Sequence, residues 1–134
     1  FAEARNERNY RNAFMLQRKY DESMECAIQV GLRVGQSMLF LAGEPSPENL
    51  NEIGGKISTS LPQQSGLGDT LKEIAATLDT LKDNFDLDTY KELSGQMDQW
   101  TADAAIICQN IDQQLDLSAS IPKTGAIVKK KLTA

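Results

Sequence analysis

The chain contains no histidine. Histidine is the commonest general base at neutral pH and a usual ligand for haem, copper and catalytic zinc; di-iron sites in helical bundles ordinarily use Glu-x-x-His pairs. Each of those chemistries lacks a residue it needs here. Cysteine is nearly as scarce, and the two present, Cys26 and Cys108, form no C-x-x-C pair that could grip a metal. Aromatic residues are 6% of the chain and proline occurs four times. Proline and glycine cluster instead of recurring at each short interval, which disfavours a β-sandwich. Long apolar runs are missing too: Met38 to Ala42 is an unbroken run of five residues, against the ~18 that a membrane span requires. Gly-rich phosphate loops and nucleophile elbows are likewise absent from the sequence.

What is present is an aliphatic, unevenly charged chain of 134 residues with a net charge of −5, long enough for one domain with its own core. Fourteen acidic groups face four lysines between residues 43 and 122, whereas the last twelve residues carry four lysines and no acid. An acidic body repels phosphate backbones, so nucleic acid is not an expected partner.

Apolar and small residues recur at three- and four-residue steps from about Glu3 to Ala42: Tyr10, Ala13, Phe14, Met24, Ala27, Ile28, Gly31, Val34, Gly35, Met38 and Ala42. This spacing predicts one long amphipathic helix, interrupted on its apolar stripe by Gln17 and Asp21. Within it Ala27, Gly31 and Gly35 repeat every fourth residue, a low-bulk strip that allows a neighbouring helix to approach closely. Gly43 to Pro47 ends that helix, with Ser46 placed to cap a second one and Pro47 at its first position. Leu50, Ile53, Ile57 and Leu61 form the short stripe of the second helix, which Gly54 and Gly55 weaken.

After a loop from Pro62 to Gly68, Asp69 is placed to cap a third helix bearing Leu71, Ile74, Ala75, Leu78, Leu81 and Phe85. Asp86 or Asp88 caps the fourth, over about residues 88–118, where Tyr90, Leu93, Met97, Trp100, Ala104, Ile107, Ile111 and Leu115 have the spacing of a bundle seam. The expected fold is all-α: an antiparallel four-helix bundle over residues 1–121, its first and fourth helices long and its middle pair short, followed by a basic tail at 122–134. Short inner helices cover only part of a long outer pair, so the rest of that pair is expected to protrude or to be buried against another chain.

No catalytic, cofactor or metal-binding residue is assigned. Asp98, Asp112 and Asp116 lie mostly outside the apolar stripe and read as a solvated helix face. Trp100, Met24, Met38 and Met97 read as core packing. Met15, Leu32, Leu39 and Phe40 project from the outer side of the first helix or widen its apolar arc, and are the candidate partner surface. If the first and fourth helices run antiparallel with Ala42 near Tyr90, Cys26 comes nearly level with Cys108, while its direction around the helix points away from the seam. Two free thiols are the expectation. A Cys26–Cys108 bond would instead mark an extracytoplasmic compartment.

The tail lysines Lys129, Lys130 and Lys131 are candidates for an anionic contact, although they fall short of the clusters of four to eight that usually hold an acidic membrane. Ile121-Pro122-Lys123-Thr124-Gly125 resembles the cell-wall sorting motif of Gram-positive surface proteins over five residues. The long apolar stretch that follows such a motif is missing, since Lys129 comes directly after Ala126-Ile127-Val128. These features favour a non-enzymatic helical module for protein interaction, its partner another protein or a second copy of itself. The alternative is an extracytoplasmic ligand-sensing bundle of a receptor.

Overall fold

The computed structural model describes residues 1–112, 114, 116, 117 and 120–122. Five helices follow one another: α1 (Ala2–Leu16), α2 (Tyr20–Leu41), α3 (Leu50–Ser60), α4 (Ser65–Asp83) and α5 (Leu87–Ile111), with a 3-10 turn at Pro62–Gln64 before α4. No strand occurs among the described residues. The described residues are all-helical, with five helices in place of the expected four.

The extra helix arises where the long first helix breaks. Arg18 adopts φ 60°, the left-handed conformation that reverses a chain at a helix end. The Arg18 amide donates to the Met15 carbonyl at 3.1 Å and the Lys19 amide to the Phe14 carbonyl at 2.9 Å, the paired bonds of a Schellman cap. α1 therefore turns back along α2: Arg33 bonds Glu3 at 3.0 Å near one end of the hairpin, and Ser23 Oγ donates to the Arg11 carbonyl at 2.8 Å near the other. No outer half of α2 is left protruding, because α1 lies on it.

α2 ends in the same cap, with glycine at the reversing position. Gly43 has φ 76°, and the amides of Gly43 and Glu44 donate to the carbonyls of Phe40 and Leu39 at 3.0 and 2.9 Å. The connection to Asn49 then runs back beside α2, so α3 starts opposite its middle. Gly31 faces Leu50 and Gly35 faces Ile53, which makes α3 run in the same direction as α2. At Gly31 and Gly35 the two helices lie close together. A methyl at Gly31 or Gly35 would stand 2.7 or 2.5 Å from these two side chains.

Asn49, not Ser46, caps α3, its side chain accepting from the Glu52 amide at 2.9 Å. α4 returns antiparallel to α3 at a still closer crossing, where a methyl on Gly54 would meet the Gly68 carbonyl at 2.7 Å. This helix begins at Ser65, so Asp69 is inside it and not its cap. Its reversal into α5 is capped by Asp86, whose carboxylate accepts from the Thr89 amide at 3.0 Å. α5 runs antiparallel to α4, tied by Trp100 Nε1 donating to the Leu67 carbonyl at 3.0 Å.

α5 consequently runs parallel to α2, not antiparallel as expected. Ser23 and Tyr90, near the starts of the two helices, meet at 2.7 Å between hydroxyls, whereas Leu41 and Leu117 share a groove at the far end. α5 stops at Ile111, short of residue 118; Leu115 lies outside the described residues. The core is continuous through all five helices and includes Met24, Val34, Met38, Ile57, Leu78, Met97 and Trp100. Tyr10 and Ile111, placed on the apolar stripes by spacing alone, are exposed.

Candidate functional site: a buried arginine cluster and an apolar groove

α1 brings little grease to its interface. The only fully buried members are Ala4 and Arg11, and Arg11 is 1% exposed. Its hydrocarbon stem packs while the charged end finds polar partners: Nε and Nη2 donate to Asn12 Oδ1 at 3.1 and 2.9 Å. Nη2 also reaches both oxygens of Asp98 at 3.1 and 3.2 Å. Arg8 Nε donates to the same carboxylate at 3.0 Å. Arg11 Nη1 has no hydrogen-bond partner among the described residues.

Asp98 is thus not part of a solvated face. It is the shared counter-ion of two arginines from α1, with a side chain 15% exposed, and taking Arg11 out of water would be prohibitive without it. Beyond this pair stand Ser23 and Tyr90. Burial raises the Tyr90 hydroxyl above its ordinary value, outweighing the Ser23 hydrogen bond and the Arg11 charge that pull it down. This cluster pins α1 to α5 across the top of α2, and it holds charge in place more readily than it performs chemistry.

Neither thiol is placed for catalysis at neutral pH, since the thiolate is the reactive form. Burial, then the neighbouring Glu7 carboxylate, raises Cys26; burial pushes Cys108 up to about 11. Both are free. With α2 and α5 parallel, Cys26 lies near the Tyr90 end and Cys108 near the amino terminus of α1, on the order of 20 Å apart along the bundle. The nearly equal heights expected of them came from the wrong helix direction. A bond between them is geometrically closed, and so is the support it lent to an extracytoplasmic sensing domain. No group of three or more acidic or cysteine side chains suited to a metal occurs among the described residues.

The four residues of the expected partner surface separate. Leu39 is fully buried, and Met15 and Leu32 are half-buried against the core. The apolar arc of α2 is wide because α1, α3, α4 and α5 all pack on that helix, so its width serves the chain's own interior. Only Phe40, 80% exposed, stands free. It borders a groove of about 530 Å³ formed where α1 begins and α2 ends, lined also by Phe1, Leu41 and Leu117 on the apolar side, with the Glu3–Arg33 ion pair at its edge. Sequence reasoning found Phe40 but not the groove, which needs Phe1 and Leu117 brought to the same place by the α1 reversal. Lys129, Lys130 and Lys131 lie outside the described residues.

Comparison with the models of known protein families, with curated proteins and with solved structures finds no match to this chain. No described helix is long and apolar enough to cross a membrane.

Proposed function

We infer that the chain is a non-enzymatic helical module that binds another protein at the end of the bundle where α1 begins and α2 ends. One observation carries the reading: Phe40 is displayed almost fully to solvent beside an apolar groove edged by an ion pair. Burying a phenylalanine side chain is worth about 2 kcal/mol. An apolar anchor with a polar rim is the usual anatomy of a protein contact. The partner in this reading presents apolar side chains to the groove and polar groups to Glu3 and Arg33.

A photo-crosslinking residue introduced in place of Phe40, in cells that make the protein naturally, tests the reading against the same residue in place of the exposed Lys91. A discrete adduct from position 40 that is missing from position 91 supports it. The same adducts at both positions, or none at position 40, would count against it.

A further inference from the structure

The α1–α2 reversal is held by a residue ill-suited to it. Arg18 occupies the left-handed position where Gly43 stands in the equivalent cap of α2, and a side chain there crowds the following carbonyl. Gln17, Arg18 and Lys19 include neither glycine nor proline, and all three are good or fair helix formers. The same segment can therefore continue α1 straight into α2 as a single helix on the order of 60 Å long.

Straightening would remove α1 from its own α2 and α5 and leave Asp98, Ser23 and Arg33 without their α1 partners. A second copy carries the matching α1. We propose that two chains exchange α1, each laying its first helix on the partner's α2 and α5 through a straightened hinge at Gln17 to Lys19.

Every contact that α1 makes beyond the hinge is remade in the exchanged pair. Arg8 and Arg11 reach the Asp98 of the other copy, Glu3 its Arg33, and Ala4 the same core position. The two arrangements differ mainly at the hinge, so the hinge sets the balance between them. The closed form suffers the left-handed Arg18, while the exchanged form loses the freedom of one molecule and gains about one regular helix turn at each hinge. The weak apolar content of α1 lowers the barrier, because opening exposes few greasy side chains of α1 itself. The exchange is independent of what binds beside Phe40, since the first turn donated by the second copy rebuilds that groove.

The test mixes two full-length variants, one carrying Glu3→Cys and the other Arg33→Cys, at high concentration in mild urea, then returns them to buffer and adds a short bis-maleimide. A chain bearing both substitutions shows that the reagent spans the pair, by an internal link. Peptide mass mapping should find position 3 of one chain joined to position 33 of the other, in a species of twice the monomer mass by light scattering. Adding Arg18→Gly to both variants relieves the closed hinge and disfavours the continuous helix. Each effect is worth about fivefold per hinge and the exchanged pair has two hinges, so the linked fraction should fall at least tenfold. Absence of the interchain link alongside a positive internal control would overturn the exchange. So would an interchain link that Arg18→Gly leaves undiminished.

Discussion

Arg11 and Asp98, 87 positions apart in sequence, join two helices whose backbones are otherwise kept apart by side-chain length. α1 is tied to α5 by this ion pair and its Arg8 companion. Removing the shared carboxylate should leave two positive charges facing each other, one of them buried. Asp98→Asn is expected to cost about 3 kcal/mol in urea unfolding. Arg11→Met keeps the stem's volume and removes both the buried charge and the unpartnered Nη1, so it should cost less than half as much. If the two losses were equal, the carboxylate would be an ordinary surface partner.

The α3–α4 crossing makes a contrasting pair of glycine predictions. A methyl on Gly68 would collide with Ser58 Oγ and the Gly54 carbonyl, both on α3. Only separation of the two helices can relieve that. Gly68→Ala should therefore destabilise by about 2 kcal/mol. Gly95 lies exposed in the middle of α5 with nothing within 4 Å of an added methyl; there alanine should stabilise by about 0.7 kcal/mol through helix propensity. Thermal unfolding of the two variants should move in opposite directions.

These two helix ends show what a sequence can and cannot disclose. Gly43 announces the end of α2 because glycine favours the left-handed cap, and the end was legible from it. Arg18 makes the same cap with an ordinary residue, so nothing local marks it and the helical spacing runs straight through. Topology was lost with that turn: helix count, the parallel α2–α5 pair and the positions of Cys26 and Cys108 all depend on it. Legible, by contrast, were the all-helical class, the core roles of Leu93, Met97 and Trp100, and a carboxylate cap at either Asp86 or Asp88. Each of these rests on spacing or on a residue's own chemistry. Leu39 and Phe40 are adjacent apolar residues with opposite fates, and that difference depends on which helices surround α2.

Cys108 makes stability sensitive to alkali. Its ordinary value is 9.0 and burial raises it to about 11 in the folded chain. A raised value means that the folded state favours the neutral thiol. The contribution is whole below pH 9.0 and drains away as the pH climbs toward 11, because the unfolded thiol ionises first. Tyr90, also raised by burial, acts in the same sense at higher pH. Between pH 8 and 11 the urea midpoint of the wild-type chain should fall more steeply than that of Cys108→Ala, even where the variant starts lower. Parallel curves for the two proteins would mean that the folded environment does not shift this thiol.

The neighbours Leu39 and Phe40 separate stability from binding in one experiment. Leu39 has no exposed surface and packs in the core, so Leu39→Ala removes buried methyl groups and leaves a void; a loss of about 3 kcal/mol is expected. Phe40 is 80% exposed, and Phe40→Ser should leave stability within about 0.5 kcal/mol of wild type. The expected signature is therefore a Phe40→Ser chain that unfolds at the wild-type midpoint yet binds less of an apolar dye. If Phe40→Ser instead unfolded as easily as Leu39→Ala, the ring would belong to the core, and the groove beside α1 would have no free anchor to offer a partner.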